Sequence, residues 1–193
     1  YQPCEQLAGD FLHLIRIDDH RMGILIADVM GHGVRAALVT SMIAGLVRKL
    51  EPFGDAPGRF MTELNRGVAS MVQNTRNFLF ATAFYAIVDE QARSITCCNA
   101  GHCAPICVGE SGSHPLESSP GPALVLNPGF EYTETVRTAH ADCRLFFFTD
   151  GIVEALGTDG EEWGRERLVA TLEATRDLGL CEQIAATVAD LKT

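Results

Sequence analysis

Met22-Gly23-Ile24-Leu25-Ile26-Ala27-Asp28-Val29-Met30-Gly31-His32-Gly33-Val34 is the stretch from which the rest of the chain is read. It is apolar up to Ala27, places a carboxylate at Asp28, passes two glycines around His32, and opens into apolar residues at helical spacing. That order predicts a buried strand, a sharp turn and a helix. A charge at the end of a buried strand is costly unless cations or hydrogen-bond donors stand close to it. Asp10 and Asp150 also sit beside glycine at the ends of apolar runs. The three carboxylates are therefore candidate ligands of one hydrated metal site.

Working outward, Phe11 to Ile17 reads as a strand and Asp18-Asp19-His20-Arg21 as a polar turn, so Met22 to Val29 returns antiparallel. Asp10 begins the first strand and Asp28 ends the second, which brings both to one end of the sheet. Val34 to Leu50 is predicted helical, with an apolar arc wide enough to be covered on two sides; Pro52 and Gly54 end it. A second helix starts after Asp55-Ala56-Pro57, with Phe60, Met61, Leu64, Val68, Met71 and Val72 as its core stripe.

Leu79 to Val88 is apolar almost throughout, as a central strand covered on both faces is. Ser94 to Asn99 returns from a turn at Asp89–Arg93, Ala100-Gly101-His102 breaks it, and Ala104 to Val108 continues beyond. His102 reads as a hydrogen-bonding turn residue. Gly109–Gly112 and Pro115–Pro128 are expected to be irregular. Phe130 to Arg137 alternates like a half-exposed strand, and Arg144 to Thr149 reads as a buried strand ending at Asp150. Helical patterns around Arg165–Thr175 and Glu182–Leu191 close the chain. Tyr1 to Glu5 reads as a strand entered mid-domain. Antiparallel strands interleaved with helix pairs give an α+β class, without choosing among its architectures.

The 193 residues suit a single domain, 1–193, and 47% hydrophobic with 21% charged residues is ordinary for a globular chain. No apolar run approaches the roughly 18 residues of a membrane span. The net charge of −10, with only 15 scattered Lys and Arg, argues against nucleic acid and anionic membrane as partners. Seven cysteines without a Cys-x-x-Cys pair read as small buried hydrophobes in a reduced, cytoplasmic compartment.

Aspartate oxygens suit hard cations such as Mg²⁺ and Mn²⁺, whereas zinc favours His and Cys. Paired-ion hydrolytic sites place two such ions about 3.5–4 Å apart around a shared carboxylate. Glycine beside each aspartate lets the backbone turn sharply and approach an ion.

Gly9-Asp10-Phe11, Ala27-Asp28-Val29-Met30-Gly31-His32-Gly33-Val34-Arg35-Ala36-Ala37-Leu38, Asn99-Ala100-Gly101-His102 and Phe148-Thr149-Asp150-Gly151-Ile152-Val153-Glu154-Ala155 follow one another as the motifs of a single family do. In order and spacing the chain resembles the SpoIIE-like and RsbU-like bacterial serine phosphatases of the metal-dependent protein phosphatase superfamily, including domains that serve as outputs of RssB-like response regulators. The resemblance implies two packed antiparallel sheets flanked by helices on both sides. It also implies two Mg²⁺ or Mn²⁺ ions and hydrolysis of phosphoserine or phosphothreonine on a protein. Asp28 would bridge the ions and orient the attacking water, with the Val29 carbonyl and Asp10 serving one ion and Asp150 the other. His32 would be a catalytic candidate as proton donor to the leaving serine, and Arg35 could meet phosphate or cap the helix environment.

The partners implied are a phosphorylated regulatory protein of the anti-anti-sigma type and an upstream sensor or receiver domain in the same polypeptide. Departures are Ala8 and His13, where the family commonly has Gly and Asp, and a final metal-binding Asp pair expected in a strand beyond Thr193. The resemblance thus implies a domain trimmed at both ends. Those departures would suit an alternative, a pseudo-phosphatase adaptor that binds a regulatory protein without hydrolysing it.

Overall fold

The structure is a computed structural model and describes residues 9–72, 79–110, 112–140, 143–157 and 160–191. The strand expected at Tyr1–Glu5, Ala8 and the end at Lys192-Thr193 lie outside the described residues. The chain divides into two compact units: Tyr1–His102 with Glu117–Ala139, and Cys103–Leu116 with His140–Thr193. Both carry strands and helices, in an α+β arrangement with two sheets.

In the first unit, β1 (Asp10–Arg16) and β2 (Arg21–Val29) form the expected hairpin, and β3 (Ala81–Asp89) and β4 (Ser94–Ala100) extend it antiparallel. Beyond β4 lie β7 (Pro120–Gly121), parallel to it, and β8 (Thr135–Thr138), antiparallel. Helices α1 (Val34–Leu50) and α2 (Pro57–Val72), joined through a 3-10 turn at Glu51–Phe53, cover one face. Period-two alternation sends Ile15, Leu25, Ala27, Val29, Ala83, Tyr85 and Ile87 to that side, where they pack with Ile43, Val47, Phe60, Leu64 and Val68. Residues of the other parity along the same strands, including Asp10, Asp28 and Thr82, occupy the opposite face.

Helix α1 departs from expectation in one respect. It was expected to be covered on two sides, yet Val34 (64%) and Leu38 (56%) are exposed, and only the stripe Ala36, Val39, Ile43, Val47 and Leu50 is buried. Met71 of α2 is likewise exposed, because it turns off the buried stripe at the helix end.

In the second unit, β5 (Ile106–Gly109) pairs with β6 (Gly112–Pro115) on one side and β9 (Arg144–Phe146) on the other. Helices α3 (Asp150–Val153), α4 (Arg165–Ala174) and α5 (Leu180–Asp190) complete it. Its core gathers Ile106, Val108, Phe148, Trp163, Leu168 and Leu172.

Four local readings are corrected. Ala104–Val108 does not prolong β4: Gly101 adopts φ +70°, and the chain re-emerges as β5 in the other sheet. Gly112 and Pro115, each placed by the sequence in an irregular stretch, are the two ends of β6, which pairs antiparallel with β5, and Gly112 takes φ +107°. Only Thr135–Thr138 of the alternating run from Phe130 is a strand. Tyr132 before it is anchored by its side chain, its hydroxyl donating to the Pro122 carbonyl at 2.7 Å and its N–H to Thr62 Oγ1 at 3.0 Å. The strand at Arg144 stops at Phe146 and is half-buried, and Asp150 opens α3 instead of ending a strand.

Candidate metal centre

The antiparallel ladder sets Asp10 directly opposite Asp28, and Asp28 opposite Thr82. Register partners point to the same face, so two carboxylates and a hydroxyl form a row across three neighbouring strands. Both aspartates are half-buried. Acidic side chains directly opposite one another repel, and a cation bound by both would relieve that repulsion.

Gly9 completes this end of the sheet. Its carbonyl accepts the Val29 N–H at 3.3 Å and the Thr40 hydroxyl of α1 at 2.9 Å. A Cβ at Gly9 would lie 2.7 Å from the Val29 carbonyl oxygen and 3.3 Å from Asp28 Oδ1. Any larger residue would therefore intrude on two of the oxygens proposed as ligands. An all-oxygen set of two carboxylates and a main-chain carbonyl, with room reserved by glycine, fits a hard divalent cation. Among the described residues no group of three or more His, Cys, Asp or Glu side chains forms a metal cage by itself.

The turn after Val29 runs through Gly31 at φ +92° and Gly33 at φ +77° before α1 begins. A Cβ at either would meet nothing within 4 Å, so glycine is required there by backbone conformation and not by crowding. His32 and Arg35 are exposed on this turn and first helical turn. Asp150 belongs to the second unit, in the first turn of α3, and is half-buried.

His13, where the family commonly has Asp, stands apart from the carboxylate row. It stands three residues from Asp10 and therefore on the helix-facing side of β1, where its Nε2 lies 2.9 Å from Glu51 Oε1. Replacing a carboxylate at this position leaves the row of Asp10 and Asp28 untouched.

Thr82 went unnoticed in the sequence, although it is one of only two hydroxyls in the apolar run Leu79–Val88. It is joined to His102, whose Nδ1 lies 2.7 Å from Thr82 Oγ1. His102 thus proves to be a hydrogen-bonding turn residue, as read, but one tied to the strand beside Asp28.

The architecture is that of a PP2C-type domain. The SiaA-PP2C domain of Pseudomonas aeruginosa matches it with a TM-score of 0.86 at 22% identity, over 98% of this chain and 75% of that one. The family model for Stage II sporulation protein E (SpoIIE) matches residues 18–193, and the chain belongs to that family. It is 32% identical over 155 residues to the phosphoserine phosphatase RsbP of Bacillus subtilis (strain 168), covering 80% of this chain and 38% of that protein. With the phosphoserine phosphatase RsbU of the same organism it shares 29% identity over 160 residues, covering 82% and 46%. The chain spans less than half the length of both curated relatives. No helix among the described residues is long and apolar enough to cross a membrane.

Proposed function

We propose that this domain is a metal-dependent protein serine/threonine phosphatase that removes phosphate from phosphoserine on a regulatory protein. The observation that carries the reading is the facing pair Asp10 and Asp28, with Gly9 holding space open at the Val29 carbonyl. Identity to two phosphoserine phosphatases supports it.

In this reading Asp10, Asp28 and the Val29 carbonyl would hold one Mg²⁺ or Mn²⁺. Asp150 would hold a second ion, on the strength of the family motif alone. When bound, the ions supply charge neutralisation at the phosphate oxygens and lower the pKa of water. Asp28 orients the nucleophile, and the glycine turn keeps side chains away from the approaching phosphoserine. His32, exposed on that turn, is the proposed proton donor to the leaving serine oxygen.

By analogy with the family that the sequence motifs resemble, the substrate is a phosphorylated partner of the anti-anti-sigma type, and the domain is the output of a cytoplasmic polypeptide with an upstream sensor or receiver. The adaptor alternative loses one of its two motives, since His13 faces the helices and not the carboxylate row.

Phosphate release from a phosphoserine protein with Mn²⁺ tests the reading. We expect turnover in the natural sequence, none with Asp28→Asn or Asp150→Asn, and reduced turnover with intact Mn²⁺ binding for His32→Ala. Equal release by Asp28→Asn and the natural sequence would remove the proposal.

A further inference from the structure

The paired carboxylates have a neighbour that the metal reading leaves without a task, the hydrogen-bonded pair Thr82 and His102. Four constraints aim that imidazole. His102 is 7% exposed, and its N–H donates to Asn99 Oδ1 at 2.8 Å. The Asn99 amide donates in return to the His102 carbonyl at 3.1 Å and to Ser118 Oγ at 3.3 Å. Gly101 turns the chain at φ +70°, with the Ala123 backbone 3.1 Å from where a Cβ would be. Finally, Gly101 bridges to Ala83, the residue after Thr82. This fixation holds His102 Nδ1 2.7 Å from Oγ1 of Thr82, the register partner of Asp28.

We propose that His102 is a positioning residue for Asp28, acting through Thr82, and the proposal rests on the reading of Asp28 as a metal-binding carboxylate. A threonine hydroxyl has one proton and two lone pairs. If Nδ1–H donates to Oγ1, the hydroxyl proton remains available to the carboxylate on the same face, and Asp28 is held in one rotamer. If Nδ1 accepts instead, the hydroxyl proton is consumed, and Oγ1 turns only lone pairs toward an acidic side chain. The acidic row therefore selects the Nδ1–H tautomer. Such outer partners of a metal-binding carboxylate change metal affinity by about 10–100-fold when removed.

A purely structural role, pinning the turn after β4 to β3, predicts lower stability with unchanged metal affinity. The distinction is measurable on the metal-free chain and with Mn²⁺ alone. Nitrogen-15 imidazole spectra, with His102 assigned by its loss in His102→Asn, are expected to show the Nδ1–H tautomer. Isothermal titration with Mn²⁺ is expected to show about tenfold weaker binding for Thr82→Val and His102→Ala, and no further loss in the double variant. Thr82→Ser keeps the hydroxyl, and His102→Asn places an amide N–H near the Nδ1 position; both are expected to restore binding. In phosphatase assays Thr82→Val should lower kcat and leave KM for the phosphoprotein unchanged.

An Nε2–H tautomer would overturn the proposal. So would natural Mn²⁺ affinity in Thr82→Val when Asp28→Asn has lost it. Should Asp28→Asn also bind Mn²⁺ normally, the metal reading itself fails and takes this inference with it.

Discussion

Asp10 and Asp28 stand opposite each other across the β1–β2 ladder, two carboxylates on one face of a hairpin with Thr82 as the next residue in the row. Like charges directly opposite in a sheet cost stability, here about 0.5 kcal/mol. Asp10→Asn in metal-free protein is therefore expected to unfold at slightly higher urea than the natural sequence. Saturating Mn²⁺ should reverse the order, because only the intact pair gains binding energy from the ion. Urea titrations with chelator and with Mn²⁺ check both halves.

Gly9 makes a separate prediction. The Cβ of Gly9→Ala would sit 2.7 Å from the Val29 carbonyl oxygen, closer than any comfortable contact. Because Gly9 also receives Thr40 and the Val29 N–H, the backbone is not free to retreat. The variant is expected to fold and to bind Mn²⁺ at least about tenfold more weakly, a loss of about 1.4 kcal/mol. Unaltered affinity in calorimetry would show that the carbonyl is not a ligand.

Much of this arrangement is legible in the sequence, and the reasons are local. The hairpin follows from alternation on either side of Asp18–Arg21, and antiparallel pairing alone brings Asp10 to Asp28. Helix α1 begins and ends at the residues its pattern indicated, Val34 and Leu50. The same period of two could have placed His13, three residues from Asp10, on the far face. What stayed hidden depended on contacts distant in sequence. Thr82 and His102 meet across a turn whose direction comes from Gly101, and Tyr132 alternates like a strand residue yet is held by Thr62 and Pro122. Phe146-Phe147-Phe148 carries strand propensity past the point where pairing stops, which concealed that Asp150 starts a helix.

Gly23 is required by a ring. A Cβ there would overlap the Tyr85 hydroxyl, which donates to the Gly54 carbonyl at 2.7 Å and so ties β3 to the turn between α1 and α2. Gly23→Ala must displace the ring or break that bond. Overpacking and an orphaned buried hydroxyl together are expected to cost about 2–4 kcal/mol. Adding Tyr85→Phe should give back part of that loss, since the colliding oxygen is gone, and thermal denaturation of the single and double variants reads it.

The buried thiols of β4 are expected to weaken the fold at alkaline pH. Burial pushes Cys97 up to about 11, against a weaker downward pull from Arg137. Burial, with Cys97 and Glu134 adding to it, pushes Cys98 up to about 12. Tyr85 and Tyr132 move upward for the same reason, loss of water around the phenolate. A group whose pKa is higher folded than unfolded leaves stability intact below the unfolded value, about 9 for a thiol, and withdraws it as pH rises toward the folded value. Stability is thus expected to be unaffected by these groups at pH 7–8, and to fall between about pH 9 and 11–12. The slope per fully shifted thiol is about 1.4 kcal/mol per pH unit. Urea unfolding at pH 7.5, 9 and 10.5 should show the decline, and Cys97→Ala with Cys98→Ala should make it shallower. An identical slope in the double variant would assign the alkaline loss to the tyrosines instead.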